Sequence, residues 1–168
     1  MPPRSVVLIG FMAAGKTAVG RALAAELGFE FCDTDDMVAA ASGQTVEEIF
    51  AANGEEAFRE LEREAVMRAA AKPGRVIACG GGAVLSVRNY GVLKGAGPIV
   101  YLRTTADELI ARLGRGEGRP LLGGDPAEAV PRLLSERTPA YETAADVTVD
   151  TDGRTPEDVA GEIAERVR

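Results

Sequence analysis

The sequence predicts an α/β fold in three layers: a five-stranded parallel sheet with helices on both of its faces. Three observations point there. Short apolar runs of strand character alternate with helical stripes five times, the pattern of parallel strands joined by helical crossovers. A glycine-rich segment, Gly10 to Thr17, lies between the first such run and the first helical stripe. The 168 residues, 46% apolar and 27% charged, suit a single globular domain over residues 1–168.

Taken in order, Ser5–Ile9 is apolar and largely β-branched, a strand buried on both faces. Val19, Leu23 and Leu27 then form one helical stripe, which Gly28 stops. Phe29–Cys32 is the second strand and runs into Asp33, Thr34, Asp35 and Asp36. Thr45 and Glu48 have capping-box spacing and open a helix that Asn53 and Gly54 end; residues 55–71 form a longer charged helix. Arg75–Cys79 is the third strand, followed at once by Gly80, Gly81 and Gly82, with helical residues near 86–94. Pro98–Leu102 is the fourth strand. Thr105 and Glu108 make a second capping box, on a helix carrying Leu109, Arg112 and Leu113. Residues 114–126 hold five glycines and two prolines and read as a lid. A helix over about 127–143 and a fifth strand at Val147–Val149 follow. Thr155 caps the last helix, with Pro156 at its first position and Val159, Ile163 and Val167 as its buried stripe.

The formal net charge of −7 excludes a general affinity for nucleic acid, which needs a basic face. An anionic ligand must therefore be met by a few placed Lys and Arg side chains. The first residues do not read as a signal peptide, and no run approaches the ~20 apolar residues of a membrane span. Cys32 and Cys79 end predicted strands at a spacing that fits no metal or disulfide framework. Two reduced thiols and a cytoplasmic location are the expectation. With no histidine, Ser-His and Cys-His mechanisms and most zinc sites are excluded.

Gly10–Thr17 matches G-x-x-x-x-G-K-[ST], the P-loop pattern, between a strand and a helix. Backbone N–H groups there point at phosphates, and the helix dipole adds a favourable field. Lys16 would reach the β- and γ-phosphates and Thr17 would bind Mg²⁺. Asp33 and Asp35 alternate at the C-terminal end of a strand, where open α/β sheets bind ligands. They could position Mg²⁺ water and orient an attacking hydroxyl, or simply cap a helix. Arg59 and Glu62 share a helix face, which by itself is also the pattern of a solvated ion pair. Arg119 in the lid could neutralise a transferring phosphoryl group. Arg137 has no function by position alone. Three glycines at 80–82 cost chain entropy, so close approach to a ligand competes with a plain turn.

Together these elements resemble the shikimate kinases, of the nucleoside-monophosphate-kinase-like branch of P-loop proteins. The resemblance runs from Val6 to about Val167. It rests on six motifs in order: the P-loop, Asp33-Thr34-Asp35, the Phe58-Arg59…Glu62 helix, Gly80-Gly81-Gly82-Ala83, Arg119-Pro120-Leu121-Leu122, and Arg137…Pro139…Tyr141. The resemblance implies ATP-dependent phosphorylation of the 3-hydroxyl of shikimate, in aromatic amino-acid biosynthesis. It also implies Mg²⁺ as cofactor, a monomer, a sheet in the order 2-3-1-4-5, a lid at about 112–126 and a substrate-binding helical segment at about 33–62. Asp35 would hold the reacting hydroxyl, with Lys16 and Arg119 as the other catalytic residues. Ala13, Ala14, Gly15, Lys16, Thr17 and Ala18 would bind ATP, Arg112 and Pro156 lying at the adenine and Arg119 closing over the phosphates. Asp33 would sit near Mg²⁺, through water, with Thr17. Arg59 and Arg137 would clamp the shikimate carboxylate, Glu62 would orient Arg59, and Gly80, Gly81 and Gly82 would line the ring. A gluconate kinase and a nucleotide-dependent regulatory protein without transfer activity are the alternatives. Two departures stand out. Ala13 replaces a glycine common in the family, and is expected at negative φ because a Cβ disfavours φ > 0. The lid segment Gly114–Gly118 is unusually rich in glycine.

Overall fold

Strand order, more than any other feature, fixes where a ligand can sit. The computed structural model describes residues 4–115 and 124–168. Its five strands are β1 (Val6–Ile9), β2 (Glu30–Asp33), β3 (Arg75–Ala78), β4 (Ile99–Arg103) and β5 (Val147–Asp150). They form one sheet in the order β2-β3-β1-β4-β5, and every pairing is parallel. The central strand β1 is buried along its whole length, with Val7 level with Ile77 on one side and Ile99 on the other. Such side chains contribute about 1.5–3 kcal/mol each on burial. The sheet order and the α/β class agree with the expectation from sequence.

Helices pack around the sheet: α1 (Lys16–Leu27), α2 (Thr34–Ser42), α3 (Val46–Ala70), α4 (Val87–Ala96), α5 (Ala106–Gly114), α6 (Pro126–Ala144) and α7 (Pro156–Val167). α1 lies against α7, α3 against α4, and α5 against α6. The main core joins strands and helices. A smaller apolar cluster of Val38, Val46, Ile49, Phe58 and Ala65 holds α2 onto α3. Among the described residues, no helix is long and apolar enough to cross a membrane.

Three local details depart from the sequence reading. Residues 34–42 form α2, capped by Asp33, whose side chain accepts from the Asp35 and Asp36 amides. The expected stop at Asn53–Gly54 is a kink, with Gly54 at φ 84°, ψ 175° between two helical stretches of α3. The capping box at Thr45–Glu48 forms in full, whereas the one at Thr105–Glu108 forms only in half. The Thr105 hydroxyl accepts from the Glu108 amide at 3.3 Å. The Thr105 amide, however, donates to Asp152 at 3.0 Å and not to Glu108.

Candidate active site

The P-loop leaves β1 at Ile9 and enters α1 at Lys16. Gly15 caps the helix in the left-handed region (φ 97°) and has no side chain to spend on the first amides. Those N–H groups therefore remain available to an anion. The Lys16 ammonium donates to the carbonyls of Gly10 (2.7 Å) and Phe11 (2.8 Å). Burial lowers its pKa to about 8, against the opposing pull of the Asp35 and Asp33 carboxylates.

Ala13 overturns one expectation. It sits at φ 66°, and is the only non-glycine residue at positive φ among the described residues. A left-handed alanine costs about 1–2 kcal/mol. Contacts on either side hold the turn: the Ala14 amide donates to the Phe11 carbonyl at 3.1 Å, and the Arg112 guanidinium donates to the Ala13 carbonyl at 3.0 Å.

Asp33 takes the helix-cap role considered from sequence and also meets Thr17. One oxygen caps α2, and the other accepts from the Thr17 hydroxyl at 3.1 Å. A hydroxyl and a carboxylate oxygen side by side suit Mg²⁺, which takes few protein oxygens and keeps several waters. No cluster of three or more acidic or thiol side chains gathers for a metal among the described residues. The donor set thus fits a cation carried largely by phosphate and water.

The glycines at 80–82 find their explanation here. A Cβ on Gly80 would lie 2.6 Å from Asp35 Oδ1 and 3.1 Å from Glu62 Oε2. On Gly81 it would lie 3.2 Å from Arg137 Nη1, and on Gly82 2.7 Å from Arg59 Nη2. Each glycine makes room for a different polar group, so a plain turn does not account for them. The four side chains and three glycines line one cavity of ≈ 300 Å³. Arg59 pairs with buried Glu62 at 2.9 Å and with Glu55 at 3.4 Å. Desolvation raises the Glu62 pKa against the pull of Arg59. Glu62 Oε2 is buried without a hydrogen-bond partner among the described residues. The Arg137 guanidinium lies over the Phe11 ring at 5.4 Å and makes no ion pair among the described residues.

A second cavity, ≈ 270 Å³, lies on the other side of the P-loop. Ala13, Ala14, Gly15, Ala18, Arg112 and Pro156 all line it, so these residues expected at the nucleotide come together, while Lys16 and Thr17 do not line it. Arg119 and most of the lid lie outside the described residues.

The sequence reading gave no role to several residues of the site, although Phe58 and Tyr141 stand in the motifs quoted above. Phe50 and Phe58 wall the first cavity, their rings 4.7 Å apart across the Gly54 kink. Arg132 lines it too, one turn and a half before Arg137 on α6. Tyr141 donates to the Gly81 carbonyl at 2.6 Å, and burial pushes its pKa up to about 12, so it stays a donor. Its i+4 spacing put it on the Arg137 face of α6, but the Gly81 carbonyl lies 60 positions away, beyond any local signal.

A family model described as shikimate kinase matches residues 12–168. The chain is 46% identical over 166 residues to the shikimate kinase of Moorella thermoacetica, covering 99% of this chain and 95% of that one. It is 48% identical over 168 residues to the shikimate kinase of Symbiobacterium thermophilum, covering 98% and 96%. Among solved structures it is similar to the shikimate kinase of Acinetobacter baumannii in complex with shikimate. That match has a TM-score of 0.93 and 36% identity, over 98% of this chain and 93% of the other.

Proposed function

Because this chain belongs to the shikimate kinase family, we propose a division of labour among its residues for the family's reaction. That reaction is ATP-dependent phosphorylation of the 3-hydroxyl of shikimate, a step of aromatic amino-acid biosynthesis. The observation that carries the residue assignment is the single cavity in which Asp35, Arg59 and Arg137 meet over Gly80–Gly82, beside the P-loop.

Shikimate carries a carboxylate at one end and hydroxyls at the other. Two guanidinium groups suit the carboxylate, since Arg offers planar forks for bidentate recognition. Glu62 holds Arg59 in place, and Gly82 lets that guanidinium lie flat against the backbone. Asp35 accepts a hydrogen bond from the 3-hydroxyl and takes its proton as the oxygen attacks the γ-phosphorus. A new O–P bond forms, the bond from phosphorus to the β,γ-bridging oxygen breaks, and ADP leaves. Phosphoryl transfer asks mainly for positioning and charge neutralisation. Lys16 supplies a cation at the β- and γ-phosphates and Arg119 a second one. Ala13 to Ala18 cradle the phosphates, while Arg112 and Pro156 border the base. Mg²⁺, when bound with the nucleotide, offsets phosphate charge, and Thr17 with Asp33 would hold its water shell. The chain acts as a monomer in the cytoplasm, without nucleic acid or membrane partners.

ADP release, followed with ATP and Mg²⁺ and either shikimate, gluconate or no acceptor, tests the reading. The expected result is ADP production that depends on shikimate alone. Equal rates with gluconate would displace it.

A further inference from the structure

Arg112 lies near the end of α5 with its side chain 12% exposed. Its Nε donates to Glu108 at 3.0 Å, and its Nη1 donates to the Ala13 carbonyl at 3.0 Å. Nη2 lies 3.5 Å from the hydroxyl of Thr151, which is itself bonded to Thr104 at 2.6 Å within a buried pair. Glu108 takes no bond from the Thr105 amide, which goes to Asp152, and the oxygen that meets Arg112 also lies 3.8 Å from Arg115. At the other end of the chain of contacts stands Ala13, in a conformation that its Cβ disfavours.

We propose that Glu108 and Thr151 are positioning residues that aim Arg112 at the P-loop, and that the resulting clamp holds Ala13 in the left-handed turn the phosphate cradle requires. Arg112 then acts on the phosphates through the loop backbone, apart from any contact it makes with the base. A glycine at position 13 would adopt φ 66° unaided, so the clamp compensates for the alanine. Glu108 reads the chemistry of Arg112 through a charge-assisted bond, and Thr151 walls its far side. The proposal rests on the P-loop taking the phosphates of ATP.

Calorimetric binding of inorganic tripolyphosphate, which has no base, separates the two uses of Arg112. Steady-state KM values for ATP and shikimate accompany it. Glu108→Ala is expected to weaken tripolyphosphate and raise KM for ATP about fivefold to tenfold, with KM for shikimate unchanged. Glu108→Gln, which keeps an acceptor for Nε, should recover part of the loss. In the Ala13→Gly background the same Glu108→Ala change should cost less than about twofold. Thr151→Val should act in the same direction as Glu108→Ala but more weakly. A loss confined to ATP, with tripolyphosphate unaffected, would overturn the proposal, as would equal losses in both backgrounds. If the unaltered protein fails to bind tripolyphosphate at all, the phosphate reading of the loop falls and the clamp with it.

Discussion

Arg137 presents its guanidinium to the cavity with no carboxylate partner among the described residues, whereas Arg59 is held by two glutamates. With no described carboxylate competing for it, Arg137 is expected to be the stronger grip on an anionic substrate. Arg137→Ala should raise KM for shikimate by an amount equivalent to ~1.5–3 kcal/mol, with KM for ATP little changed. An unaltered shikimate KM would move the carboxylate elsewhere. Asp35→Asn keeps the shape and removes the proton acceptor, so kcat should fall roughly 10²–10⁴-fold while both KM values change little. Lys16 gives a pH signature. Its ammonium titrates at about 8 in the free protein, and bound phosphates raise that value again. Nucleotide affinity should therefore weaken as pH rises through 8, and binding should take up close to one proton at pH 9 and almost none from Lys16 at pH 7. The protein without nucleotide moves the other way. A lysine whose pKa is lowered on folding adds stability as pH rises from about 8 towards its unfolded value. Calorimetry in buffers of different ionisation enthalpy measures the uptake; no uptake at pH 9 would place the lysine outside the phosphate site.

At the scale of elements, two backbone features shape the cavity over Gly80–Gly82. The kink at Gly54 lets Phe50 and Phe58 meet across α3 and brings Arg59 onto the glycine loop that follows β3. Gly82→Ala should push the Arg59 guanidinium off its seat and raise KM for shikimate at least tenfold, leaving KM for ATP nearly unchanged. Equal effects on both substrates would mean that the substitution has disturbed the sheet instead. The strands and most helix ends were legible in the sequence because their signals are local: β-branched runs, Gly28 after α1, Thr45 and Thr155 as caps. α2 was not, because its cap residue Asp33 also serves Thr17 and its nine residues carry only a short apolar stripe. The unshared capping box at Thr105 was misread because Asp152 lies 47 positions away, beyond any local pattern. Ala13 was misjudged for the same reason. Its turn is set by Arg112, 99 positions along the chain.

For the molecule as a whole, the parallel order places β1 and β3 side by side, so the phosphate loop and the glycine loop leave neighbouring strands at the same edge. Two cavities flanking the P-loop thus follow from topology, and a site at this end of the sheet was readable once the motifs were set in strand order. Which side chain faces which glycine was not readable, because that depends on the kink in α3 and on the pitch of α6. The two thiols report on the integrity of this arrangement. Cys79 is buried and burial raises its pKa strongly, while Cys32, half-buried, is pushed up to about 11. In the native protein at pH 8 an aromatic disulfide reagent should modify Cys32 slowly and Cys79 only at the rate of unfolding. Peptide mapping showing fast labelling of Cys79 would contradict this packing of β3.

The three glycines carry a consequence for descent. Each is kept small by a different partner: Asp35 with Glu62, Arg137, and Arg59. In a lineage that still phosphorylates its substrate, filling one of these positions displaces the matching side chain, so the loop and its partners should covary. A descendant relieved of the reaction is under no such constraint, and the chain-entropy penalty of three successive glycines then favours alanine or serine there. A lone side chain at 80, 81 or 82 in a related genome, with its partner unchanged, would mark a gene that has left catalysis behind.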